Sequence, residues 1–308
     1  MEDNSLRPAL VAAVAPLAWG TTYLVTEQWL PPDRPLFAAL VRALPAGLLL
    51  LLVVRRLPPT RQWWLRAAAL GACNIGLFFP LVFLAAYHLP GGLAATVQAA
   101  SPLAVMALAL PLLHERPGVV RVGAALVGLS GVCLLVLRSP DGVTALGLAG
   151  AFGSVAVSAL GFVLVKKWGR PEGVSMLTMV SWQFLAGGLL LLPVALLVEG
   201  APPALDLPAV GGFLWIGGAG TVLAYTCWFR GLSRLPAGAV SLVGLLNPVT
   251  GTVLGVTFAA EAFGWVQALG MALVLGGVLA GQRRTAPTAP LAPAVAPPVP
   301  PVPVTTRP

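Results

Sequence analysis

Residues 89–92 read LPGG, and residues 235–238 read LPAG, 146 residues further along the chain. The same offset relates four more pairs: Pro102 and Pro248, Glu115 and Glu261, Gly118 and Gly264, and Gly131 and Gly277. Closer to the N-terminus the offset is 141, and it relates Trp19-Gly20 to Leu160-Gly161, Arg42 to Gln183, and Gly47 to Gly188. Apolar sequence does not keep one register this long by chance, so the chain contains a duplicated unit of about 140 residues.

The composition requires a lipid environment. Hydrophobic residues make up 58% of the 308 residues and charged residues 9%, with a mean hydropathy of +0.91. One soluble core could not bury that much apolar surface. Ten apolar runs have about the length of a bilayer-spanning helix. They are residues 8–28, 35–54, 66–87, 92–113, 118–137, 145–165, 174–198, 209–230, 237–258 and 262–281.

The runs are continuous and do not alternate in polarity, which favours membrane helices over the strands of a barrel. The first run follows Met1-Glu2-Asp3 rather than a basic cluster, so we expect it to remain as a helix and not to be cleaved as a signal peptide. The duplication divides the runs into two sets of five. An odd number of crossings turns the second copy upside down relative to the first, as in many secondary transporters.

The predicted fold is therefore an all-α polytopic membrane protein with ten transmembrane helices in two inverted five-helix repeats, residues 8–137 and 145–281. Residues 282–308 are rich in Pro and Ala and are predicted to form a disordered cytoplasmic tail, either solvated or used for docking.

The positive charges indicate how the helices are oriented. With the N-terminus inside, fifteen of the eighteen Lys and Arg residues fall on the cytoplasmic side, Arg34 and Arg138 lie outside, and Arg42 lies within a run. Such a bias predicts that both termini are cytoplasmic. The net charge of +8 therefore follows the membrane, and we expect membrane lipids and a small-molecule substrate as partners, with no nucleic acid.

Four segments resemble the EamA-type transporters of the drug/metabolite transporter superfamily. They are APLAWGTTYLV from Ala15, VRALPAGLLLL from Val41, the stretch AAYHLPGG to HERPG from Ala85, and its echo FRGLSRLPAG to AAEAFG from Phe229. The resemblance covers residues 8–281 and implies a ten-helix carrier of small metabolites in the bacterial plasma (inner) membrane, often an exporter. The first hundred residues are most similar to exporters of the PecM type.

Arg42 is the first candidate for the substrate site. It is the eighth residue of its run, about 12 Å along a helix from the outer end. A cation at this depth either lines a central cavity, where it would attract a carboxylate, phosphate or other electron-rich group, or reaches the outer interface or Glu27.

Further candidates are polar or aromatic residues inside the runs. In the first repeat they are Trp19, Thr22, Tyr23, Asn74 and Gln98, and in the second they are Gln183, Tyr225 and Asn247, with Trp182 and Thr221 beside them. Each either contacts the substrate or joins neighbouring helices. Pro102 and Pro248 occupy matched positions and are candidate hinges, although a proline kink can also serve packing alone.

No Walker pattern appears, and the two histidines, His88 and His114, are predicted at opposite membrane faces, so we expect no ATP site, cofactor or metal and no enzyme. No Asp or Glu lies near the predicted midplane, so transport is expected to be facilitated, exchange-driven, or proton-linked through an interfacial group such as Glu27 or His88. The predicted function is a secondary transporter of small metabolites such as amino acids, working by alternating access. The alternatives are a lipid or lipid-linked precursor flippase and, less favoured, a membrane-embedded enzyme.

Overall fold

The computed structural model describes residues 6–32, 34–88, 97–136, 144–258 and 264–282, and every regular element in them is helical. The α-helices of the first part are α1 (Leu6–Trp29), α2 (Pro35–Val54), α3 (Arg61–Gly71), α4 (Phe78–His88), α5 (Ser101–Leu113) and α6 (Val119–Val136). Those of the second part are α7 (Ala145–Trp168), α8 (Met176–Val198), α9 (Leu207–Gly217), α10 (Ala224–Leu232), α11 (Ala237–Val243), α12 (Leu246–Phe258) and α13 (Trp265–Gln282). Apart from Gln282, which ends α13, the predicted tail lies outside the described residues.

Seven helical stretches of the described residues are long and apolar enough to cross a membrane. Three shorter apolar helices, Val97–Leu113, Val119–Leu134 and Ala268–Gln282, overlap the other three predicted runs, and the last ends one residue beyond its run. The expectation of an all-helical protein that crosses the membrane repeatedly is therefore confirmed. The count of ten crossings and their inverted arrangement stay predictions.

Two membrane stretches contain a π-helical segment, which the sequence analysis did not predict. The first π segment (Ala72–Gly76) joins α3 to α4, and the second π segment (Gly218–Leu223) joins α9 to α10. The backbone NH of Leu77 donates to the carbonyl of Ala72 at 2.8 Å, five residues back, as the wider π turn requires. The segments begin 146 residues apart, at the offset that relates the LPGG and LPAG sequences.

Glycines allow α2 and α8 to approach until their backbones touch. A Cβ atom added at Gly47 would lie 2.5 Å from the backbone nitrogen of Leu185, and one at Gly188 would lie 2.8 Å from Cα of Leu44. These contacts are reciprocal, because the offset of 141 relates Gly47 to Gly188 and Leu44 to Leu185. Small residues at helix contacts are how membrane helices gain close packing.

The contact between α6 and α13 has the same reciprocal form. A Cβ atom at Gly131 would lie 2.6 Å from the carbonyl oxygen of Gly270, and one at Gly277 would lie 2.7 Å from that of Ala124. The offset of 146 exchanges the members of this set. In two separate helix pairs, each contact between the two sequence copies is therefore repeated by the equivalent residues in the opposite direction.

The two candidate hinge prolines each follow an interruption of the helix. Pro102 is the second residue of α5, after a turn at Ala100, and Pro248 lies in the first turn of α12, after a turn at residues 244–245. Proline is well tolerated in a first helical turn, where its missing NH would lack an intrahelical partner. A hinge role for either proline stays a prediction.

The beginning of α2 is fixed by a carboxylate from the end of α8. Glu199 accepts hydrogen bonds from the backbone NH groups of Leu36 and Phe37, at 2.6 and 2.8 Å, and the Arg34 guanidinium donates to the Glu199 carbonyl. The carboxylate satisfies NH groups that have no intrahelical partner and complements the positive end of the helix dipole. This contact fixes where α2 begins relative to α8, and therefore the position of Arg42 along that helix.

Replacing Glu199 by Ala should lower the free energy of unfolding by about 1–2 kcal/mol, because two backbone donors lose their acceptor. Thermal unfolding of the purified protein in detergent would measure the loss. Glu172→Ala is the matched control, since Glu172 is exposed in the connection between α7 and α8. Equal shifts in the two variants would contradict the assignment of a capping role to Glu199.

Candidate functional site

The Arg42 side chain is directed toward the second π segment. Its Nε donates to Thr221 Oγ1 at 2.9 Å, one terminal nitrogen donates to the carbonyl of Gly220 at 3.0 Å, and the guanidinium carbon lies 4.9 Å from the centroid of the Phe79 ring. Both acceptors are neutral, and the aromatic face adds a cation–π contact. The guanidinium is therefore bound between α4 and the second π segment, and the Glu27 side chain lies outside the described part of the chain.

The carbonyl of Gly220 also accepts a hydrogen bond from Trp19 Nε1, at 2.9 Å. One backbone oxygen thus joins side chains from α1 and α2 to the second π segment. Its residue has no side chain of its own, and a Cβ atom there would lie 3.8 Å from Thr22 Oγ1 and 4.0 Å from a terminal nitrogen of Arg42. Thr22 and Arg42 therefore both lie near Gly220.

The Thr22 hydroxyl is buried and makes no hydrogen bond within the described residues. A buried hydroxyl without a partner carries a desolvation cost of roughly 1–3 kcal/mol. A ligand group bound beside Arg42 could remove that cost by accepting from or donating to Thr22. The pair Arg42 and Thr22 is consequently the part of the structure best suited to a polar group of a solute.

Aromatic rings surround this polar group on one side. The Trp19 ring lies 5.2 Å from that of Tyr225 and 5.3 Å from that of Trp228, and Tyr225 lies 4.9 Å from Phe184. Trp228 also contacts Phe162, at 5.4 Å. Tilted and edge-to-face contacts of this kind stabilise the rings against one another.

Sequence reasoning identified Trp19 and Tyr225 but missed Trp228, Phe162, Phe184 and Phe79. The spacing of Tyr225, Trp228 and Phe229, three and four residues apart on one helix face, could have indicated an aromatic surface. Trp228 Nε1 is buried and has no partner within the described residues, so it is a second group of this region with an unused hydrogen-bonding capacity.

Asn74 and Gln183 form a second polar contact, in the interior of the helix bundle. Asn74 Nδ2 donates to Gln183 Oε1 at 2.9 Å, Gln183 Nε2 donates to the carbonyl of Met179 at 3.2 Å, and both residues are buried. The Tyr225 hydroxyl donates to the Asn74 carbonyl at 3.5 Å, which connects this pair to the aromatic rings. Asn74 belongs to the first π segment.

Other predicted site residues make separate contacts. Gln98 donates to Ser154 Oγ of α7 at 2.8 Å, and Trp182 donates to the carbonyl of Arg56, beyond the end of α2. Asn247 Oδ1 is buried without a partner in the described residues, and the Asn247 carbonyl packs against Gly20, where a Cβ atom would lie 2.9 Å away. The Tyr23 side chain lies outside the described part of the chain.

The described residues contain no group of three His, Cys, Asp or Glu side chains that could hold a metal ion. A cavity of about 630 Å³ lies between the α1–α2 and α8–α9 connections, beside Trp29, Arg34 and Asp206. This is the end of the bundle at which Glu199 caps α2.

Two stretches of the chain, residues 6–137 and 145–280, match the EamA-like transporter family. The chain belongs to this family. It is 41% identical over 268 residues to "Protein PecM" of Dickeya dadantii (strain 3937), which covers 87% of this chain and 90% of that protein. It is 27% identical over 274 residues to the "Uncharacterized inner membrane transporter YedA" of Escherichia coli (strain K12), covering 84% and 85%.

A solved crystal structure has a similar fold, with a TM-score of 0.74 at 21% identity, over 89% of this chain and 97% of the solved one. The predicted membership of the EamA family and the similarity to PecM are confirmed. The protein is accordingly a membrane transporter and not an enzyme.

The contact between Asn74 and α7 gives a direct test of the site's packing. A Cβ atom at Gly161 would lie 2.2 Å from Asn74 Oδ1, so Gly161→Ala must displace the carboxamide and disturb its bond to Gln183. We expect a loss of about 1–3 kcal/mol in unfolding free energy. Gly153→Ala, on the same helix, meets Leu81 at 3.5 Å, an ordinary contact, and should be neutral or stabilising. Equal stability of the two variants in thermal unfolding would contradict the close approach.

Proposed function

We propose that the protein is a secondary transporter that exports small metabolites, such as amino acids or related compounds, across the bacterial inner membrane by alternating access. Its helices form ten crossings in two inverted repeats, residues 8–137 and 145–281, with both termini in the cytoplasm. The observation that carries the proposal is the position of Arg42, which joins the second π segment beside an unpartnered hydroxyl and a set of aromatic rings.

An approximate twofold relation between the two repeats, which inverted repeats have, is supported by the reciprocal glycine contacts. An approximate twofold axis makes residue i of one copy touch residue j of the other while j of the first touches i of the second. The contacts of Gly47 and Gly188, and those of Gly131 and Gly277, have this form. The orientation is supported by the positive charges, of which fifteen of eighteen lie in the connections assigned to the cytoplasm.

The chemistry of the site favours a solute with an electron-rich group and an apolar or aromatic body. In the described structure Arg42 donates to two neutral oxygens. A carboxylate would be a stronger acceptor, because it carries the opposite charge and can accept two parallel hydrogen bonds from the guanidinium. Thr22 adds a hydroxyl, and Trp19, which donates to the same Gly220 carbonyl as Arg42, packs with the rings of Tyr225 and Trp228.

A thermal-shift screen of the purified protein with amino acids, nucleobases, aromatic metabolites and sugars tests this assignment. We expect the compounds that stabilise the protein to carry a carboxylate. In Arg42→Ala, the same stabilisation should require a ligand concentration about tenfold higher, because a charge-assisted hydrogen bond is lost. Arg66→Ala is the matched control, since Arg66 also stacks on aromatic rings, those of Trp63 and Trp168, outside this region. A ligand that stabilises all three proteins equally would show that Arg42 is not in its site.

Transport itself is measured in proteoliposomes. Vesicles loaded with the most stabilising compound should take up the labelled compound by exchange, faster than vesicles that contain Arg42→Ala. An uncoupler should leave this exchange unchanged unless a proton is transported with the solute. Uptake no faster than in protein-free vesicles would contradict the proposed carrier function.

A further inference from the structure

The two π segments are equivalent parts of the duplicated sequence. The first runs from Ala72 to Gly76 and the second from Gly218 to Leu223, and the offset of 146 relates their first residues. It also relates Asn74 to Gly220. π-Helical turns are rare and mostly occur singly, frequently at functional positions. Their appearance at equivalent positions of both copies indicates that the duplicated unit contains the π segment as one of its working parts.

Each π segment is held by a polar side chain of the other copy. Arg42, on α2 of the first copy, donates to Gly220 and Thr221 in the second π segment. Gln183, on α8 of the second copy, accepts from Asn74 in the first π segment. Arg42 and Gln183 are themselves related by the offset of 141. The same pair of positions is therefore in contact twice, once in each direction across the two copies.

We propose that Arg42 and Gln183 are equivalent positioning residues, each of which holds the π segment of the opposite repeat in place. The two contacts are called here the Arg42 lock (Arg42 with Gly220 and Thr221) and the Gln183 lock (Gln183 with Asn74). A π turn interrupts the regular i→i−4 hydrogen bonding of a helix and is a place where helices kink, so side chains that bond to it can fix its geometry. The two locks are contacts of the structure and do not depend on the proposed carrier function. Any movement of the π segments during transport would depend on it.

The two locks differ in strength. The Arg42 lock has two hydrogen bonds from a cation, and Trp19 donates a third to the same Gly220 carbonyl. The Gln183 lock is a single bond between neutral amides. Bonds to a charged group contribute more than neutral ones, so the second π segment is the more firmly held of the two.

Hydrogen–deuterium exchange of the full-length protein in lipid nanodiscs, without any added solute, tests the two locks separately. Arg42→Met keeps an apolar chain of similar length and removes both donors, and it should speed exchange of the amides of residues 218–223 by about tenfold. Residues 72–76 should be unaffected. Gln183→Leu should give the opposite pattern, with about threefold faster exchange at residues 72–76 and no change at residues 218–223.

Arg42→Lys provides a second variant in case Arg42→Met does not fold. It keeps the charge but cannot reach both acceptors with the fixed fork of a guanidinium, so exchange at residues 218–223 should again rise while residues 72–76 stay unchanged. Acceleration of both segments by one substitution, or of neither, would overturn the proposal. The exchange experiment contains no solute, so a thermal-shift screen that finds no ligand would not affect its outcome. Likewise, unchanged exchange in the variants would not contradict a ligand found in the screen.

Discussion

A cation within a membrane helix has little water around it and needs partners from the protein. Arg42 has such partners in the second π segment and in Phe79. In hydrocarbon an unsatisfied charge is costly, so the groups that contact Arg42 must keep positions in which they can bond to its guanidinium. Trp19 and Arg42 both donate to the carbonyl of Gly220, and the π turn brings Thr221 toward the same guanidinium. Glu199 in turn fixes the start of α2, and with it the depth of Arg42, through the NH groups of Leu36 and Phe37.

Close packing keeps this polar arrangement in place. The glycines at positions 47 and 188 bring the backbones of α2 and α8 into contact, and these are the helices that carry Arg42 and Gln183. Because a lipid-facing helix gains little from the hydrophobic effect between helices, such contacts must supply much of the association by van der Waals packing. A shift of α2 along α8 would move Arg42 and Gln183 relative to each other, which links the packing of the two helices to the geometry of both π segments.

The sequence predicts features that residue type reveals, such as hydropathy and repeated positions, and does not predict features of the backbone. Hydropathy and length predicted the membrane helices, and the offsets of 141 and 146 predicted that Arg42 and Gln183 are equivalent. Thr221 was a candidate site residue, because a hydroxyl inside a run is visible in the sequence, but its bond to Arg42 was not predicted. The Gly220 carbonyl was missed because it belongs to the backbone, which no side chain marks. The π segments were missed because a one-residue widening of a helix changes hydrogen bonding without changing hydropathy. Gln98 and Trp182 have the same residue character as the site residues yet bond elsewhere, since depth along a helix does not determine which face a side chain occupies.

The difference between Arg42 and Gln183 has a physical consequence for a carrier built from two similar halves. With the same residue at both positions, the two π segments would be held equally and an anionic solute would have no preferred half. A cation in one half and an amide in the other gives the solute one strong partner, which is already bonded to neutral oxygens that a carboxylate can replace. Binding would then weaken the hold on the second π segment while the Gln183 contact stays intact. The asymmetry thus provides a route by which the proposed binding of a solute in one half changes the balance between two otherwise equivalent halves.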